Sequence, residues 1–289
     1  MEPKKGKENE LGTESVGKLL FRLSMPAIAA QVINVMYNMV DRMYIGHIPG
    51  VGAAALTGVG VTMPVIMAIT AFAYFISMGG APRSSIMMGR NEKEKAEKIL
   101  GNCTTMLVVL ALILSAVFLF CGRSILLLFG ASENTIGYAR DYMQIILYGN
   151  VITHMYLGLN AVLRSSGFPK QAMYATLSSV VINCILNPIF IFGFEWGIKG
   201  SAWATVISQV ISLTGQMIHF SSPKQLLHFK KGIYKLRKEV VKGILYIGMS
   251  PFLMNLCSCR IVILINNSLQ NYGGDMAIGA YGIINRLLT

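Results

Sequence analysis

Charged side chains are scarce in this sequence and acidic ones scarcer still: Asp, Glu, Lys and Arg make up 13% of its 289 residues, with 13 acidic against 25 basic. Hydrophobic residues reach 54% and the mean hydropathy is +0.56, whereas soluble domains carry about a quarter of their residues as charges. A soluble enzyme is excluded. The charges are also unevenly placed: residues 143–163 and 200–220 hold no Asp, Glu, Lys or Arg, runs long enough for the ~30 Å hydrocarbon core of a bilayer. Backbone groups in such runs must bond within their own segment, so the chain reads as an all-α membrane protein, a polytopic helical bundle.

Other absences narrow the function. The five cysteines, Cys103, Cys121, Cys184, Cys257 and Cys259, show no metal-ligand or redox spacing and read as helix packing. No His pair, acid cluster or Ser and Lys dyad is visible, which leaves a membrane-embedded enzyme as the weakest alternative. The N-terminus is polar from Glu2 to Lys18, so no cleavable signal peptide opens the chain and the first helix serves as its own insertion signal.

Membrane helices are predicted over 23–45, 54–78, 100–121, 142–163, 172–194, 200–220 and 244–269, with an eighth starting near 276. The short amphipathic stretch 124–130 is expected at the membrane surface. A net charge of +12 points to topology and not to nucleic acid, because the basic residues sit between the apolar runs. With alternating loops, nineteen Lys and Arg fall on the side of the N-terminus and three (Arg123, Arg140, Lys199) on the other. This places the N-terminus in the cytoplasm of a multi-pass protein of the inner (plasma) membrane. The expected organisation is a cytoplasmic segment 1–18, a six-helix N-lobe 19–222, a basic cytoplasmic connector 223–242 and the start of a C-lobe at 243–289.

A faint repeat supports two lobes. Matching Pro26 to Pro251 sets Asp41 opposite Asn266, and six intervening spans give both copies the same orientation, as in parallel six-helix repeats. The second lobe is then incomplete: the sequence stops inside its second helix, and doubling the first repeat gives a protein of ~450 residues.

Asp41 is the acidic residue that lies well within an apolar span, where a carboxylate is costly and a functional candidate by default. The bland alternative is a helix-end carboxylate neutralised by Arg42. Asn34, Tyr37, Asn38 and Asp41 follow helical spacing and share one face; Ser179, Asn183 and Asn187 do the same, as do Ser201, Thr205, Gln209, Ser212 and Gln216. Such stripes serve either as glue between helices or as the lining of a cavity. Arg260 inside a span and His154 in the fourth helix read as structural, and most of the 18 methionines as packing.

Several motifs in order resemble the multidrug and toxic compound extrusion (MATE) transporters, especially the bacterial multidrug efflux branch. They are Met25-Pro26 followed by Asp41, Phe129-Gly130-Ala131, the run Leu163-Arg164-Ser165-Ser166-Gly167-Phe168-Pro169-Lys170, the run from Asn183 through Asn187-Pro188 to Phe192, and Trp196 to Thr205 at the next junction. The resemblance implies two lobes of six helices exchanging H⁺ or Na⁺ for organic, mostly cationic compounds, with no cofactor beyond that ion. The expected partners are small organic cations and the lipid bilayer, with no nucleic acid and a monomeric full-length protein.

It further implies an N-lobe site matching Asp41, Tyr37, Tyr142, Asn160, Asn183, Asn187 and Thr205. Here Asp41, Asn183, Asn187, Thr205 and Tyr142 are the ion-coupling set, with Asp41 the ligand if the ion is Na⁺. Tyr37, Asn34, Asn160 and Gln209 are the cavity and substrate set. Family members commonly carry a second acid where this chain has Asn187, so Asp41 is expected to carry the charge chemistry alone. Pro26 is the expected hinge of helix one, fifteen residues from Asp41, or ~22 Å along the axis. A lipid-linked oligosaccharide flippase of the same superfamily is the alternative, with Arg260 the one cation pointing that way.

Overall fold

The computed structural model describes residues 15–222, 225, 227–230 and 232–288, which form helices joined by short turns with no strand among them. In order these are α1 (Val16–Gly46), α2 (Gly52–Gly89), α3 (Lys93–Leu128), α4 (Ile136–Tyr148), α5 (Asn150–Ser165), α6 (Pro169–Pro188), a π-helical turn (Ile189–Gly193), α7 (Gly197–Ser221) and α8 (Lys238–Leu288). The N-terminal segment up to residue 14 and part of the basic connector lie outside the described residues.

Among the described residues, four helices are long and apolar enough to cross a membrane: α2, α3, α6 with its π-turn, and α8. The bent pair α4 and α5 makes a fifth. α1 and α7, 31 and 25 residues long, are predicted spans whose polar stripes dilute their mean hydropathy. Those stripes face other helices, as the site shows.

The fourth span departs from its straight prediction: α4 and α5 meet at 58° across Gly149. The cause is a polar wedge from α3, since Ser115 donates to the Leu147 carbonyl (3.0 Å) and Asn150 donates to both Ser115 Oγ and the Ala111 carbonyl, each at 3.0 Å. A side chain at Gly149 would also collide with Val206 of α7. Likewise, the stretch near Ser124 belongs to the continuous end of α3 and is no separate surface segment. At Gly274 (φ 65°) the chain breaks α8 into two helices, a backbone conformation that glycine adopts readily.

α8 lies against α2. A Cβ on Gly79 or on Gly248 would strike the carbonyls of Ile244 and Phe75, so two glycines let the backbones touch, while Phe252 packs on Phe72 and Phe75 with ring centroids 4.8 and 4.6 Å apart. One apolar cluster, including Leu100, Leu107, Leu159 and Phe220, fills the end of the bundle near the basic loops; another, including Ile45, Ile145, Ile191 and Ile198, fills the opposite end.

Candidate ion-coupling site

The polar stripes of α6 and α7 meet each other. The helices run antiparallel, and along their contact Ser178 lies 3.0 Å from Ser212, Ser179 donates to Ser208 at 3.5 Å, and Asn183 donates to Thr205 Oγ1 at 3.2 Å. At the far end Asp41 of α1 takes the next position. Its Oδ1 accepts from Asn187 Nδ2 at 2.6 Å and from Ser201 Oγ at 2.9 Å. The turn that makes this possible is local: Pro188 removes a backbone donor and is followed by the π-turn, then Glu195 and Gly197 take positive φ (56° and 53°) and reverse the chain. Gly200 then packs against the Phe190 carbonyl carbon, where a Cβ would sit 2.7 Å away, and this close approach sets Ser201 beside Asn187.

Asp41 is 7% exposed, and Asn183 and Asn187 are 1% exposed. The second hydrogen of Asn187 Nδ2 reaches Asn183 Oδ1 at 2.9 Å, Thr205 Oγ1 donates to the Ser201 carbonyl at 3.1 Å, and Tyr37 OH lies 3.5 Å from Thr205 Oγ1. Asn187 Oδ1 is buried with no hydrogen-bond partner. An orphaned amide oxygen beside a carboxylate and two hydroxyls is a donor set that suits a proton or a small hard cation, which prefers oxygen.

Arg42, the residue after Asp41, has its own partner on α2. It faces another direction of the helix and donates to Met63 Sδ of α2 at 2.9 Å, with Nη1 buried and without a hydrogen-bond partner.

Tyr142 is 6% exposed within the apolar cluster that includes Ile45 and Val206. Asn160 sits elsewhere, tying α5 to α6 through the Ala172 carbonyl (3.0 Å) and Thr176 Oγ1 (3.4 Å). Gln209 accepts from Thr153 at 2.6 Å. Asn34 takes part through its carbonyl, which accepts from Asn38 at 2.6 Å. Pro26 is buried, and α1 continues through it without a break. His154 is fully buried with Nδ1 3.1 Å from the Asn150 carbonyl, and Arg260 is exposed on α8.

The family model described as MatE matches residues 26–189, over half of the chain, and includes Asp41, Asn183 and Asn187. This chain belongs to the MatE family. Among its MATE relatives, the multidrug export protein MepA of Staphylococcus haemolyticus (strain JCSC1435) is 28% identical over 274 residues, and the probable multidrug resistance protein YoeA of Bacillus subtilis (strain 168) is 28% identical over 282. Each match covers 95% of this chain and 60% of the relative, so the chain spans about three fifths of the length of the curated relatives it matches. The solved MATE multidrug transporter DinF-BH, in complex with R6G, superposes with a TM-score of 0.89 at 30% identity, over 99% of this chain and 63% of that one. The fold is that of the MATE multidrug transporter, of whose chain this one covers 63%.

Two buried residues, one inside the Asp41 cluster and one at a separate place on α3, carry weaker signals in the sequence. Ser201 holds the carboxylate directly, and its signal was its place on the α7 stripe one turn before Thr205. Glu97, 2% exposed near the start of α3, is a second buried carboxylate; it reads in sequence as part of an ordinary charged helix end.

Proposed function

We propose that the protein is a secondary active multidrug efflux transporter, exporting organic and mostly cationic compounds in exchange for H⁺ or Na⁺, with its N-terminus in the cytoplasm. The reading rests on the Asp41 carboxylate, buried between three helices and bonded by Asn187 and Ser201. A proton or Na⁺ arriving at Asp41 changes the charge that these neutral donors serve. The bonds to α6 and α7 then weaken or give way to coordination by the carboxylate, Asn187 Oδ1 and the neighbouring hydroxyls. Because Asp41 lies on α1 and its partners on α6 and α7, the same event alters how α1 sits against the lobe, and Pro26 is the position at which α1 can bend. The name of MepA as an export protein supports the direction of transport, and the motifs of α1, α5 and α6 favour drug efflux over lipid-linked carriers.

The test is efflux of a cationic dye from cells producing the protein, with Na⁺ and pH varied separately. Dependence on one ion is expected. Efflux indifferent to both, or an Asp41→Asn variant that keeps its ion dependence, would show that Asp41 does not couple transport.

A further inference from the structure

A cavity of about 990 Å³ opens at the end of the bundle opposite the basic loops, where the α1–α2 turn, the start of α4, the turn after the π-helix and the start of α7 come together. Its floor is apolar, formed by Ile48, Ala55, Ile191 and Ile198, all buried. Ile191 lies one turn beyond Asn187 and Ile198 one turn before Ser201, so this layer separates the cavity from the Asp41 cluster, none of whose members lines it.

The walls are aromatic. Tyr138, Phe192, Trp196 and Trp203 converge on the space, with Phe192, Trp196 and Trp203 exposed by 40%, 49% and 37%. The rim carries Asp141, Glu195 and Lys199. Lys199 is matched by Asp141 at 3.2 Å, and Glu195 makes no ion pair among the described residues. Backbone bonds fix Glu195 from both sides, Phe194 N to the Ile189 carbonyl at 2.9 Å and Trp196 N to the Phe190 carbonyl at 3.0 Å.

We propose that this cavity is a binding site for a bulky organic cation, separate from the Asp41 site, with the positive charge held against the Trp196 and Trp203 faces and Glu195 as counter-ion. Aromatic faces carry negative potential that attracts cations, and the volume is that of a site for a drug-sized ligand. Interfacial tryptophans that merely anchor a protein in lipid have no need to converge on a cavity beside a carboxylate. An anion finds no free cation here, since Lys199 is already paired. The inference uses the efflux reading only to place the cavity on the exit side; the binding itself stands apart from it.

Both tryptophans of the chain line this cavity, so tryptophan emission reports on it alone. Titrating tetraphenylphosphonium into the 289-residue chain in dodecyl maltoside is expected to quench that emission to saturation. Tetraphenylborate, of the same shape and opposite charge, should give only the unsaturating loss of a probe partitioning into detergent. Glu195→Gln, at an exposed position, should raise the half-quenching concentration about threefold, and Trp196→Leu, read through Trp203, should weaken binding as well, with circular dichroism confirming that each variant stays helical. Equal quenching by the two ions, or a half-quenching concentration that Glu195→Gln does not move, overturns the site. If cells fail to expel dye while the purified chain still discriminates the two ions, the export reading falls and the cavity stands. Efflux without discrimination removes the cavity alone.

Discussion

Asp41 and Glu97 are both buried carboxylates, 7% and 2% exposed, and the chain holds them by different chemistry. Asp41 accepts from an amide and a hydroxyl. Glu97 accepts from the Lys230 ammonium at 2.7 Å, with His228 Nδ1 3.4 Å from its other oxygen. The histidine contact is one of proximity, since neither atom there has a hydrogen-bond partner. Around Glu97 the connector is stitched to α3: Asn102 donates to the carbonyls of Ile233 and Lys235, each at 3.3 Å, and accepts from Arg237 N at 2.9 Å, while Thr105 donates to the Tyr234 carbonyl at 3.0 Å. A carboxylate with its own ammonium is an anchor that fixes a strap to a helix. One that accepts from an amide and a hydroxyl can exchange those bonds for a cation, which makes it suited to switching.

Substituting one member of each arrangement separates the two roles. The largest effect is expected from Asp41→Asn, which keeps the shape and most of the bonding but removes the charge. Ion-driven dye efflux should fall roughly a hundredfold, the loss of about 3 kcal/mol of coupling, while the thermal midpoint of the purified protein moves little. Unfolding of that variant would make Asp41 an anchor like Glu97. Next in size is Lys230→Met, which leaves the Glu97 carboxylate buried without its ammonium. Lys230 is itself 46% exposed, so water offsets part of the loss, and about 2 kcal/mol of stability is expected to go. Denaturation in detergent measures this, and efflux per folded molecule should stay as it was.

The sequence made the first of these sites partly legible and the second hardly at all. Asp41 stood out because a lone acid in an apolar run has few structural excuses, and helical spacing alone put Asn183 with Asn187 and Ser201 with Thr205. What spacing does not say is which stripe meets which. Gln209 belongs to the α7 stripe and Asn160 to the set the family resemblance implies, yet they bond to Thr153 and Ala172 and stay outside the cluster. The spans were readable from hydropathy, but the bend at Gly149 depends on Ser115 and Asn150 meeting across two helices. Glu97 escaped for a related reason: its burial is supplied by residues more than 130 positions away, in a connector whose sequence looks solvated.

Smaller changes within the Asp41 cluster sharpen the contrast. Asn187→Leu removes one donor to the carboxylate and the orphaned Oδ1 together, and an apparent ion affinity about tenfold weaker is expected from efflux measured against ion concentration. Thr205→Val should cost less, about threefold. Its hydroxyl touches Asn183 and Tyr37 and not the carboxylate, so it orients the amides that serve Asp41 and acts one bond removed. The double variant is the informative one. If the bonds from Thr205 through Asn183 to Asn187 polarise one another, the loss in Asn187→Leu already includes most of what Thr205 contributes, and the two effects combine to less than their product. Independent effects would mean that Thr205 only glues α7 to α6, and that the switch consists of Asp41, Asn187 and Ser201 alone.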